Sequence, residues 1–127
     1  MARFFTPEWV TAVDTALQEA DEVRSAARGK SFVFEQVATD APDGEVAYHL
    51  VVTDGTVRAV ADRAETPTVV ITGPWGVHVK INKGELSPPV ALLSGKGRVR
   101  GDRMKLMTER TLLSAIHDCT VAVPVEY

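Results

Sequence analysis

The sequence predicts an α+β fold: a long N-terminal helix, a three-strand antiparallel meander, two further strands and a closing helix. Three observations carry this expectation. Apolar residues recur at helical spacing up to Val23. Alternation with a period of two, broken by turn residues, takes over from Ser31 to Thr72. Helical spacing returns after Asp102.

The first helix has its start signals in order. Thr6 suits the cap, Pro7 the first helical position, and Glu8 the positive end of the helix dipole. Advancing 100° per residue puts Trp9, Val10, Val13, Ala16, Leu17, Ala20 and Val23 on one face. Thr11, Asp14, Thr15, Gln18, Asp21 and Glu22 fall on the other, which reads as a solvated acidic face. A single helix ending at Gly29 is expected. In residues 31–39, Phe32, Phe34 and Gln36 alternate with Val33, Glu35 and Val37, and 40–44 is dense in turn residues. Residues 45–53 place Tyr48, Leu50 and Val52 on one face, and Asp54-Gly55 marks a tight hairpin back through 56–63. Residues 68–72 read as a fourth strand.

The stretch 74–83 is ambiguous. Val77, Val79 and Ile81 alternate as a strand would and Gly76 weakens a helix, yet Pro74 after Gly73 can open one. Ser87-Pro88-Pro89 starts a short helix that Gly95 stops, and 96–100 reads as a fifth strand with Lys96, Arg98 and Arg100 on one face. Asp102 caps a last helix reaching about Ile116. Met104, Met107, Leu112, Ala115 and Ile116 cover a broad arc of it, with Leu106 and Leu113 on another side. A helix apolar on two sides must meet two apolar things. One is the sheet. The other is a neighbouring helix, a partner subunit in a homodimer, or a bound apolar ligand.

Composition excludes several classes. The 127 residues, 45% apolar and 24% charged, suit one folded domain, 1–127. No apolar run approaches the ~20 residues a membrane-spanning helix needs. The start reads as no secretory signal and the end as no peroxisomal address, and the single cysteine, Cys119, reads as a small buried hydrophobe. A cytoplasmic protein is therefore expected. The net charge of −3 argues against nucleic acid as a partner. Charge is uneven, with six Lys/Arg and eleven Asp/Glu in residues 1–63 against eight and six in 64–127. Lys96, Arg98, Arg100, Arg103 and Lys105 have only Asp102 to balance them. They read as attraction to an anionic membrane surface or a ligand phosphate, or, more plainly, as a solvated strand face that resists edge pairing.

Catalytic and metal signatures are missing. His49, His78 and His117 lack metal-ligand spacing, there is no Gly-x-Ser-x-Gly elbow, and glycine-rich 95–101 matches no phosphate-binding loop. The expectation is a protein that is not an enzyme, with no catalytic residue, no metal and no cofactor.

From Gly84 to Asp102 the sequence becomes specific. Gly84, Leu86, Pro88, Ala91, Gly95 and Lys96, then Gly101-Asp102, resemble in order and spacing the sterol carrier protein family of nonspecific lipid-binding domains. The resemblance extends upstream through 68–72 and Asp54-Gly55 and covers residues 30–116. It implies a crossover from the meander to the last two strands and short helices over one face of a five-stranded sheet, with 74–83 helical. It also implies an apolar tunnel between sheet and helices for fatty acyl chains, acyl-CoA, phospholipid or steroid. On that reading Trp75, Val79, Ile81, Leu92, Leu93, Met104 and Met107 are candidate ligand contacts, with Arg100 and Arg103 at the mouth. Two departures bear on the ligand. Pro74-Trp75-Gly76 stands where relatives carry an acidic, helix-favouring start, and Gly97 where they carry an aliphatic side chain. Gly97 is expected to contribute cavity volume. The implied function is non-catalytic binding and transport of an apolar ligand. The alternative is an accessory or oligomerisation module of the same fold.

Overall fold

The computed structural model describes residues 1–127. Its elements are α1 (Pro7–Glu19), α2 (Asp21–Ala26), β1 (Ser31–Ala41), β2 (Gly44–Thr53), β3 (Thr56–Val60), β4 (Val69–Pro74), α3 (Trp75–Asn82), α4 (Pro88–Leu93), β5 (Arg98–Gly101), α5 (Met104–Thr108) and α6 (Arg110–Val121). The strands form one sheet in the order β3-β2-β1-β4-β5. All neighbours are antiparallel except β1 and β4, which run parallel. The expected α+β architecture is present: meander, crossover, two further strands and helices over one face.

Local chemistry sets the turns. Asp54 and Gly55 both take positive φ, 32° and 88°, as a type I′ hairpin requires. At Gly101 φ is +88°, and a Cβ there would collide with the Thr68 carbonyl. The amide of Asp102 donates to that same carbonyl at 2.9 Å, so the chain can leave β5 only through a glycine.

The crossover, residues 61–68, passes over the sheet face opposite the helices. Glu35 is 1% exposed beneath it. Its carboxylate accepts from the Ala64 amide at 2.6 Å and from Arg63 Nε at 3.2 Å. His49, paired with Glu35 across the ladder, meets the Asp62 carbonyl at 2.7 Å. Thr68 then bonds both ways with Val33, setting β4 beside β1.

Two expected helices are each two helices. The first breaks at Ala20, whose backbone is extended (φ −86°, ψ 104°). The break lets α1 follow β3 while α2 turns onto α6 and buries Val23. Asp21 and Glu22, taken as part of one solvated face, are the acidic first turn of the new helix. The last helix breaks at Glu109, whose buried carboxylate pairs with Lys30 and, at 3.9 Å, with Lys105. Its two-sided apolar pattern therefore belongs to two axes. Leu112, Ala115 and Ile116 of α6 are buried, whereas Met104 and Met107 of α5 face solvent.

Asp14 corrects another expectation, since it is not merely solvated. It accepts from Ala59 N–H of edge strand β3 at 2.8 Å and from Arg58 Nε at 3.0 Å. Burial pushes its pKa up, but the Arg58 and Ala59 hydrogen bonds outweigh that, and the carboxyl lies below its usual value. The fifth strand starts at Arg98, two residues later than expected. No helix is long and apolar enough to cross a membrane.

Candidate functional site

The helical side of the sheet has two unlike halves. Over β1–β3, Trp9, Val10, Val13 and Leu17 of α1 join Phe32, Phe34, Leu50, Val52 and Val57 in one buried cluster. Phe4 and Phe5 extend it as an aromatic group. Phe4 meets Trp9 edge-on at 4.9 Å, and Phe5 meets Tyr48 at 5.1 Å. Phe5 holds this position at φ 66°, a left-handed conformation that an aromatic side chain rarely adopts.

Over β4–β5, Val69 joins the buried cluster, but the apolar side chains beyond it stay half-buried. Ile71 and Val99 face each other across the ladder and point to the helical side. Trp75 and Val79 of α3, Leu106 of α5 and Leu113 of α6 pack against the margin of the buried cluster. Together they make an apolar shelf that is neither closed nor fully exposed. Leu92 of α4 seats on the strand at Gly97, where an added Cβ would lie 3.2 Å from a Leu92 methyl and 3.5 Å from the Thr72 carbonyl. The space beside Gly97 is thus already taken by Leu92.

The hinge between β4 and α3 is polar at one point. His78 contacts the Val37 carbonyl through Nε2 at 3.0 Å and meets Phe5 edge-on at 5.2 Å. A carbonyl only accepts, so Nε2 carries the proton. Burial lowers the His78 pKa from its ordinary 6.5, more than the Val37 hydrogen bond raises it, and favours the neutral ring. Further along α3, Asn82 donates to the Tyr127 hydroxyl at 2.7 Å, and Lys83 lies over the Tyr127 ring. A pocket of about 40 Å³ lies where residues 3–6, the β1–β2 turn, Trp75, Glu126 and Tyr127 meet. It is an order of magnitude smaller than a typical small-molecule site.

Of the candidate contacts, Trp75 and Val79 lie on the shelf, Leu92 at its Gly97 end, and Ile81 is half-buried on α3. Leu93, Met104 and Met107 are exposed. Arg100 pairs with Val70, on the sheet face away from the helices. Arg103 is exposed and donates to the Val99 carbonyl at 3.1 Å. Sequence reasoning missed Ile71, Val99, Leu106 and Leu113 as shelf residues. The signal for the two strand residues was present, because Val99 alternates with Arg98 and Arg100 and so must face inward. No group of three or more His, Cys, Asp or Glu side chains comes together as a metal ion would need. What the arrangement offers chemically is apolar contact beside an exposed, cationic strand.

A family model described as the SCP-2 sterol transfer family matches residues 13–114. The chain belongs to the SCP-2 sterol transfer family. Solved structures agree on the fold. A crystal structure of sterol carrier protein 2 superposes with a TM-score of 0.81 at 22% identity, covering 96% of this chain and 100% of that one. The conserved hypothetical protein TT1886 from Thermus thermophilus gives 0.81 at 22% identity, covering 99% and 93%. Palmitated SCP2L2 from Aedes aegypti gives 0.55 at 20% identity, covering 80% and 92%. No curated protein sequence matches the chain. SCP-2 membership accounts for the helical 75–82 segment, which alternation alone left open, and carries the family's association with lipid and sterol binding or transfer.

Proposed function

We propose that this SCP-2 chain binds and carries one apolar ligand (a fatty acyl chain, an acyl-CoA, a phospholipid or a steroid) on the β4–β5 side of its sheet, and performs no chemistry on it. The shelf of Ile71, Trp75, Val79, Val99, Leu106 and Leu113 is the observation that carries this reading, since each packs on the core yet keeps apolar surface in reach of solvent. The palmitated state of SCP2L2 supports an acyl chain as one ligand class. On this reading α4 moves outward on entry, because Leu92 already fills the space beside Gly97. Ile81, Leu92, Leu93, Met104 and Met107 then close over the ligand, and Arg100 and Arg103 remain candidates for an anionic headgroup. About ten buried methylenes at about 0.8 kcal/mol each give about 8 kcal/mol, the scale of a micromolar complex.

The test is native mass spectrometry of the purified protein followed by organic extraction and identification of any released lipid. Tryptophan emission localises the site. Trp9→Phe keeps only the half-buried Trp75, and Trp75→Phe keeps only the buried Trp9. A saturable change on titrating palmitate into the first variant and not the second supports the shelf. The reverse pattern moves the ligand to α1.

The filling of the space beside Gly97 by Leu92 favours a second reading, an accessory or oligomerisation module acting through protein contacts. A concentration-independent dimer by light scattering, with neither variant responding to acyl or steroid ligands, establishes that reading instead.

A further inference from the structure

The geometry points to the free edge formed by α4, β5 and α5 as a docking surface for an anionic lipid bilayer. Four of the seven large apolar side chains most exposed to solvent lie in this one stretch: Val90 at 51%, Leu93 at 89%, and Met104 and Met107 at 64% each. Residues 90–107 also hold five Lys/Arg and one Asp, whereas the rest of the chain holds nine and sixteen. Of these cations only Lys105 has an acidic partner, Glu109. Lys96, Arg98, Arg100 and Arg103 make no ion pair, and the one acid, Asp102, is spent on the Met104 amide at 3.1 Å. Strand β5 pairs only with β4, so no strand covers its outer edge. Arg98 and Arg100 fan to the sheet face away from the helices, and the two short helices flank the same strand in the chain.

Charge and exposure together select a bilayer over a protein. A protein partner offers shaped holes, and such holes are matched by packed ridges. Here the apolar groups are single flexible side chains on short helices of six and five residues, which suit insertion into fluid acyl chains. A cationic surroundings suits the headgroups of an anionic leaflet. The other exposed arginines make a contrast. Arg24 and Arg28 line a groove with Asp21 and Asp54, and Arg24 pairs with Asp21 at 3.5 Å, so that surface is neutralised from within. The docking surface stands on this pattern alone and does not depend on which ligand, if any, the shelf holds.

The experiment is sedimentation of the full chain with vesicles of phosphatidylcholine alone and of phosphatidylcholine and phosphatidylglycerol in equal parts. Binding is expected only to the second, and loss of binding at high salt. Arg98→Glu with Arg100→Glu is expected to weaken it by about 30-fold or more. Leu93→Ser with Met107→Ser is expected to weaken it by about tenfold. All four positions are exposed, so both doubles should melt as the parent does, and Arg24→Glu with Arg28→Glu should bind as the parent does. No binding, equal binding to both vesicles, or parental binding by both site variants overturns the proposal. Equal affinity for polyglutamate and the anionic vesicles would overturn it in favour of an acidic polypeptide partner.

Discussion

Under β1–β3, α1 lays Trp9, Val10, Val13 and Leu17 on the sheet, and all four are buried. Under β4–β5, Val69 beside β1 is buried, but Ile71 and Val99, facing the same way farther along, stay half-buried beneath elements of five to twelve residues. One sheet thus carries a solid half and an open half. The solid half is clamped at its edge by Asp14, reaching from α1 to the Ala59 amide and the Arg58 guanidinium of β3. The open half ends in β5, whose outer edge no strand pairs with. Burial is denser on one side, so the other is expected to open more readily.

The largest expected effect tests that division directly. Trp9→Ala should destabilise the protein by about 4 kcal/mol, because it empties a site that is 1% exposed. Leu113→Ala, on the open half, should cost only about 1 kcal/mol. Denaturant melts of the two variants measure the difference, and equal losses would break the comparison.

Much of the solid half was legible in the sequence because its periodicities are uninterrupted. Trp9, Val13 and Leu17 fall on one arc, and Phe32 and Phe34 on one strand face. Less legible were the places where a polar side chain does structural work at a distance. Asp14 sits among Thr11, Thr15 and Gln18 on an ordinary hydrophilic face, and only the fold brings β3 beside it. Glu35 reads as the outward member of an alternating strand, until the crossover passes over it and makes it a buried anchor. On the open half, the 74–83 alternation left helix and strand undecided because α3 is apolar on several sides, and Val77, Val79 and Ile81 are all half-buried there. Met104 and Met107 joined Leu112 on one arc only so long as the break at Glu109 was unseen.

Glu35 gives the next effect in size. Glu35→Ala removes the acceptor for the Ala64 amide and the partner of Arg63. A hydrogen bond to a charged group is worth about 2 kcal/mol, and that loss should appear in a denaturant melt. Hydrogen exchange should quicken in 61–68 before it does in β1. Uniform quickening would mean that the crossover and the sheet open as one unit.

Gly97 sharpens the comparison from the open side. It was expected to leave cavity volume, but Leu92 occupies the space above it. Gly97→Leu must therefore lift α4 off the strand. We expect a stability loss of about 1 kcal/mol, typical of modest overpacking. Acyl binding should weaken by about tenfold if α4 closes over the ligand, and stay unchanged if the ligand seats elsewhere. Pairing it with Leu92→Ala should restore binding, since the two side chains compete for one place.

The smallest effect separates the halves by pH. His78 belongs to the open half, at the β4–α3 hinge, and burial lowers its pKa below the ordinary 6.5. The unfolded chain therefore takes up its proton first as the pH falls. Stability contributed by the neutral ring is intact above 6.5 and drains away between 6.5 and the lower folded value. Asp14 belongs to the solid half, and its pKa lies below the ordinary 3.8. Its contribution is intact above 3.8 and is lost only as the pH falls through the folded value beneath that. Mild acid should thus loosen α3 while the α1–β3 clamp still holds. Between pH 7 and 5, a small fall in Tm is expected in the parent and should vanish in His78→Gln. Over the same range Asp14→Asn should lower Tm by a constant amount, with no new slope. In hydrogen exchange, the α3 amides should gain rate across this range while those of α1 keep theirs, after correction for the intrinsic pH dependence. If α1 loosens together with α3, the two halves are coupled more tightly than their packing implies.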